Sequence, residues 1–169
     1  MEYPRLETQR LVLRQLYYSD VPRIIEFAAD EAIAATVRNL PHPYFEKDAI
    51  FWLNMSHQGF VNGDKAVFGI ALKESDLFIG GIGLHINAHD NHAESGYWVA
   101  KPLWNKGYVT EALGALIKYG FEVRQLHKIY ATFLEENIAS GKVMAKNGMV
   151  QEAVMKDHIN KNGVLKTLV

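Results

Sequence analysis

The chain has 169 residues, 49% hydrophobic and 22% charged, with eighteen basic and nineteen acidic side chains for a formal charge of −1. That is the composition of a globular protein, without the basic excess that advertises nucleic acid or an anionic membrane as a direct partner. Cysteine is absent, which removes disulfides, thiolate catalysis and zinc–thiolate sites and suits a reducing, cytoplasmic setting.

The start, Met1-Glu2-Tyr3-Pro4-Arg5, carries no signal-peptide hydrophobic region, and no apolar run approaches the roughly 20 residues of a membrane span. Without repeats or linker-like stretches, residues 1–169 are expected to form one domain. Arg10-Leu11-Val12-Leu13-Arg14-Gln15-Leu16 alternates and predicts a first strand. Ser19-Asp20-Val21-Pro22 opens a helix, with Asp20 as its cap and Pro22 in its first turn. Leu40-Pro41-His42-Pro43-Tyr44 must be a loop. A second helix follows, presenting Ile50, Phe51, Leu53 and Met55 and ending near Gly59 or Gly63.

Three strands come next, 66–72, 77–86 and 93–100, joined by polar turns and antiparallel to one another. In the following helix Leu113, Leu116, Ile117, Gly120 and Phe121 recur at helical spacing as one face. A strand over 128–133 and a helix over 138–146, ended by Asn147-Gly148, come after it. A strand over 150–156 and a last short strand over 164–169, turned by Asn162-Gly163, close the chain. The order implies an α/β (mixed α+β) fold: a mixed, mostly antiparallel sheet of six or seven strands with helices on both faces.

The most informative segment is Trp104-Asn105-Lys106-Gly107-Tyr108-Val109-Thr110-Glu111, which joins a strand to a helix. A glycine turn that opens a helix presents unpaired N–H groups at the positive end of the helix dipole. Such a turn binds phosphate oxygens without a basic side chain. Alone, it is equally an ordinary strand-to-helix connection.

Taken with the element order, this turn resembles the GNAT superfamily of acetyl-CoA-dependent N-acetyltransferases. The similarity is closest to the RimJ/RimL branch, which acetylates ribosomal-protein N-termini. The matching segments are Leu6-Glu7-Thr8-Gln9-Arg10-Leu11-Val12-Leu13-Arg14, Ala93-Glu94-Ser95-Gly96-Tyr97-Trp98, and Gly107-Tyr108-Val109-Thr110-Glu111-Ala112. Asn137-Ile138-Ala139-Ser140 and Lys146-Asn147-Gly148-Met149 complete the series. Three departures stand out. Trp104 and Val109 fill the first and last places of the Q/R-x-x-G-x-G/A phosphate motif. Met144 stands where many members carry a tyrosine acid, and Thr167 stands near a usual Asp, so the last strand is expected to be short.

The resemblance implies acetyl transfer from acetyl-CoA, with no metal, to a primary amine by direct attack in a ternary complex. The acceptor would be a small molecule or a peptide, ribosomal N-termini included, and the protein a monomer or homodimer. The alternative is a non-catalytic acyl-CoA sensor or interaction module on the same fold. Lys106, Gly107, Tyr108, Val109 and Thr110 would hold the pyrophosphate, while Val99 backbone and Asn137 would hold pantetheine. A bulge near the end of the Glu94 strand is expected to admit that arm.

Glu94 is the candidate base, against a strand-end or ion-pairing role. Ser140 is the candidate thiolate donor, against a helix cap. Tyr44, Phe45 and Trp52 either shape an acceptor cleft or belong to the core. His85, His89, Asp90, His92 and Glu94 are dense enough to raise a metal site, but their placement across a strand end and a turn favours solvated residues or the lining of an acceptor pocket.

Overall fold

The computed structural model describes residues 2–169. Strands β1 (Leu6–Glu7), β2 (Leu11–Arg14), β3 (Lys65–Leu72), β4 (Phe78–Asn87), β5 (His92–Val99) and β6 (Lys128–Tyr130) form one sheet in sequential order. Neighbours are antiparallel except β5 and β6, which run parallel because a helix crosses between them. A separate hairpin, β7 (Met155–Lys161) and β8 (Val164–Leu168), docks its second strand on the chain after β6. Phe133 and Val169 exchange both backbone hydrogen bonds there, at 3.0 Å each.

Helices α1 (Val21–Ala28) and α3 (Glu46–Asn62) pack on one sheet face with the short α2 (Glu31–Thr36) beside them. Helices α4 (Tyr108–Glu122) and α5 (Ile138–Lys146) cover the other. Two apolar clusters result. Leu11, Leu13, Phe68, Ile82, Leu113 and Leu116 lie on the α4 side, and Leu16, Ile24, Leu53, Val67 and Phe78 on the α3 side. Among the described residues no helix is long and apolar enough to cross a membrane.

Several expectations shift. Asp20 occupies the N-cap position of α1 but makes no side-chain cap bond: its carboxylate accepts from Tyr17 N–H at 2.9 Å and pairs with the buried Arg14 guanidinium at 2.8 Å. The α4 core stripe is Ala112, Leu113, Leu116, Tyr119 and Gly120, and Phe121 points outward, 43% exposed. Strand β6 stops at Tyr130, well before 133. Strand β7 begins at Met155 rather than 150, since Val150 and Val154 are left exposed. The Asn162-Gly163 turn sets that register, both residues taking positive φ (53° and 83°), as a two-residue hairpin turn requires. Strand β8 spans five residues, Val164–Leu168.

Candidate active site at the edge of strand β5

Strand β5 pairs with β6 only from His92 to Glu94, and from there to Val99 that edge has no neighbouring strand among the described residues. The expected β5 bulge is absent, and its register with β4 is unbroken from Asn87↔His92 to Gly80↔Val99. The opening arises because β6 ends. Ala100 N–H bonds Ile79 C=O at 2.8 Å. By antiparallel alternation, Tyr97 and Val99 therefore turn their backbone groups toward the open edge. Val99 C=O is already taken by the Trp104 indole N–H at 2.9 Å, which leaves the Val99 N–H free to face the opening. Trp104, a departure from the phosphate motif, thus has a structural use.

A cleft of about 1140 Å³ passes through this opening and reaches both sheet faces. On the α4 face, Gly107 adopts φ 77°, a left-handed conformation that favours glycine, and immediately precedes α4. The first helical bond runs from Glu111 N–H to Gly107 C=O. The N–H groups of Tyr108, Val109 and Thr110 consequently lack partners within the helix. A tie across some hundred residues fixes the turn. Glu111 accepts from Thr8 Oγ1 at 2.6 Å, Arg10 N–H at 2.8 Å and Arg10 Nε at 2.7 Å, and Arg10 also donates to Lys106 C=O at 2.9 Å. Partial burial works to raise the Glu111 carboxyl, but the bonds from Thr8 and Arg10 outweigh it and hold it below its ordinary range. Lys106 is exposed, and sequence reasoning missed Arg10 as the cation set against the turn.

Helix α5 supplies the third wall. Asn137 caps it, Oδ1 accepting from Ser140 N–H at 3.2 Å. Ser140 is therefore not the cap. Its Oγ lies 2.8 Å from the Tyr97 hydroxyl, which burial pushes up to about 12, so the phenol keeps its proton near neutrality. Met144 is buried in the core at the place where a tyrosine was expected. Tyr97, from β5, brings a phenol to the first turn of the same helix.

On the opposite face Glu94 accepts from Thr132 Oγ1 at 3.0 Å and stands beside His85 on β4 and Tyr130 on β6. His85 keeps an open edge to solvent, yet desolvation by the surrounding protein, then Lys65, lowers its proton affinity. His89 is almost fully exposed, and His92 lies 5.5 Å from the Tyr130 ring. No group of three or more metal-binding side chains gathers among the described residues. Tyr44 is buried yet lines the cleft, as does half-buried Trp52, whereas Phe45 points outward beneath Lys47.

Residues 10–150 match the family model described as the acetyltransferase (GNAT) domain. The chain belongs to the GNAT acetyltransferase family. This acetyltransferase is 35% identical over 159 residues to the uncharacterized N-acetyltransferase YnaD of Bacillus subtilis (strain 168), covering 92% of this chain and 88% of that one. It is 26% identical over 168 residues to the [ribosomal protein uS5]-alanine N-acetyltransferase of Escherichia coli (strain K12), covering 94% and 84% of the two chains. The crystal structure of a GNAT-family acetyltransferase from Bacillus anthracis superposes with a TM-score of 0.86 at 26% identity, covering 98% and 95%.

Proposed function

We propose that this acetyltransferase, acting as one domain in the cytoplasm, moves the acetyl group of acetyl-CoA to a primary amine by direct attack in a ternary complex. The observation that carries this is the opening beside β5, which gives one face to a donor and the other to an acceptor. Pyrophosphate oxygens would accept from the N–H groups of the Lys106–Thr110 turn, with Arg10 adding positive charge beside Gly107. The pantetheine arm would enter between β5 and the chain after β6, near Asn137. The N–H groups of Tyr97 and Val99, which face the opening, would pair with pantetheine and polarise the thioester carbonyl.

A free alkyl amine titrates near lysine's value of about 10.4, so at neutral pH it arrives as ammonium. Glu94 takes that proton, through a water, and the neutral amine attacks the thioester carbon. The C–S bond then breaks, the new amide nitrogen sheds its extra proton, and the leaving thiolate takes that proton by way of Ser140, whose hydroxyl Tyr97 supports. A relative named for N-acetylating alanine of ribosomal protein uS5 supports a peptide amine as one member of that class.

The test is thiol release from acetyl-CoA against a panel of small amines and peptides with free N-termini, with intact mass of the protein after acetyl-CoA alone. We expect thiol release only when an amine is present, and no acetylated protein. Acetylation of the chain itself, or binding without turnover on any amine, would overturn the proposal.

A further inference from the structure

Glu94, Gly96 and Trp98 share one face of β5, and their partners on β4 are His85, Gly83 and Gly81. The middle of this patch, the Gly83↔Gly96 pair, bears no side chain. The two glycines differ in why they are there. A Cβ on Gly83 would stand 2.9 Å from Val67 Cγ2 and 3.1 Å from Val67 Cα, so packing against β3 excludes one. A Cβ on Gly96 would meet nothing within 4 Å, and Gly96 is exposed at the base of the cleft. Its φ lies outside the left-handed region. Neither packing nor backbone conformation calls for glycine at position 96, and a glycine inside a strand weakens it. Space above the strand is what Gly96 supplies.

That space has two unlike ends. At one stands Glu94 with Thr132 and His85. At the other stands Trp98, its ring 6.0 Å from Trp52 and 5.8 Å from Phe78. Gly81 lets Trp52 lie down on the sheet, since a Cβ there would come within 2.5 Å of that indole. Trp98 lies four residue steps along the strand from Glu94, roughly 13 Å. A carboxylate at one end, an open floor and an aromatic wall at the other suit a primary amine carried on an apolar body.

Resting on the proposed acetyl transfer, we infer that Gly96 is the floor of the acceptor subsite, and that the subsite selects primary amines whose apolar body packs on Trp52 and Trp98. Such a body belongs either to a free arylalkylamine or to the first residue of a peptide with an apolar N-terminus.

The experiment compares wild type with Gly96→Ala and Gly96→Val on phenethylamine, a peptide beginning with Phe, ethanolamine and spermidine. Wild type should favour one of the two apolar acceptors over ethanolamine and spermidine in kcat/KM, and which of the two leads identifies the source. Overpacking the floor should lower kcat/KM for that acceptor by about tenfold or more in Gly96→Val, less in Gly96→Ala, and spare ethanolamine. Melting temperature and acetyl-CoA affinity should stay at wild-type values in Gly96→Ala, which keeps the test open should the valine variant fold poorly. A wild-type preference for spermidine or ethanolamine, or equal losses across all acceptors, would overturn the subsite. So would an unchanged rate on the apolar acceptor in Gly96→Ala. Wild type inert toward every amine would overturn the acetyl-transfer proposal and the subsite with it, whereas an active wild type with indifferent Gly96 variants would overturn the subsite alone.

Discussion

The two faces of strand β5 are built on opposite plans. On the α4 side the groups are held in place: Thr8 and Arg10 tie Glu111 beside the glycine turn, the Trp104 indole occupies Val99 C=O, and Tyr97 meets Ser140. On the α3 side the middle of the site is empty space over Gly96, and part of its wall is the segment after α2. That segment is fastened by Lys161 from the distant β7–β8 hairpin, whose ammonium donates to Ala34 C=O at 2.6 Å and also to Val37 C=O. Backbone N–H groups recognise phosphate whatever side chains surround them. An amine acceptor has to be read by side chains and by the room between them. On the proposed assignment, the donor half can therefore be written in a short motif, and the acceptor half cannot.

Substitutions confined to one face should leave the other intact. The largest separation is expected at Glu94. Glu94→Gln keeps the shape and removes the proton acceptor, so turnover should fall roughly 10²–10⁴-fold at neutral pH while acetyl-CoA affinity stays put. Raising the pH should partly restore the variant by supplying free amine. Near-normal turnover in steady-state assays would return Glu94 to a structural role.

Gly107 should show the reverse. With φ at 77°, Gly107→Pro cannot adopt the turn, since proline fixes φ near about −65°. Losing a charge-assisted donor should weaken acetyl-CoA binding by about 1.5–3 kcal/mol. Calorimetry on the folded variant checks this, and unchanged affinity would move the cofactor away from the turn.

A smaller effect is expected in α5, where two roles should come apart. Ser140→Ala should lower turnover by about tenfold, the lower end for a hydrogen bond to a charged group, with little change in melting temperature. Asn137→Ala should instead lose about 1 kcal/mol of stability as the cap is removed. A Ser140→Ala protein that is fully active yet destabilised would exchange those assignments.

The smallest effect concerns acid. The folded Glu111 carboxyl titrates below its ordinary value of 4.5. Its tie is therefore worth most above that value, and its contribution is lost as pH falls through the lower folded value. Melting temperature should fall less steeply below pH 4.5 in Glu111→Gln than in wild type. Parallel slopes would remove Glu111 as a pH-dependent anchor.

How far the sequence revealed these two halves follows from the same contrast. Helix α5 was legible to the residue because Asn137 and Asn147-Gly148 punctuate it locally, and α4 was legible as a helix from its apolar spacing, though its buried face lies one step round from the expected one. The short α2 has too few turns for periodicity to register, and its cap, Asp30 accepting from Ala32 N–H, is a single residue. Asp20 looked like a cap because its neighbours suit one, but Arg14 draws its carboxylate into the core. In the site, Gly107, Asn137 and Ser140 could be singled out from motifs. Arg10 and Tyr97 could not, since their partners lie 101 and 43 residues away. Strand alternation puts Gly96 on one face with Glu94 and Trp98, but nothing in the sequence marks it as a site. The emptiness above it exists only once β6 has ended and α3 has packed.

Amide hydrogen exchange with and without coenzyme A tests the division between the faces most directly. Added alone, coenzyme A should protect backbone amides of Val99, Tyr108, Val109 and Thr110 together with the start of α5, leaving the segment after α2 and the His85 end of β4 unchanged. Those acceptor-side amides should respond only when an amine is added as well. Protection by coenzyme A of the α2 end and His85, with none at Tyr108–Thr110, would contradict the assignment of donor and acceptor to opposite faces of β5.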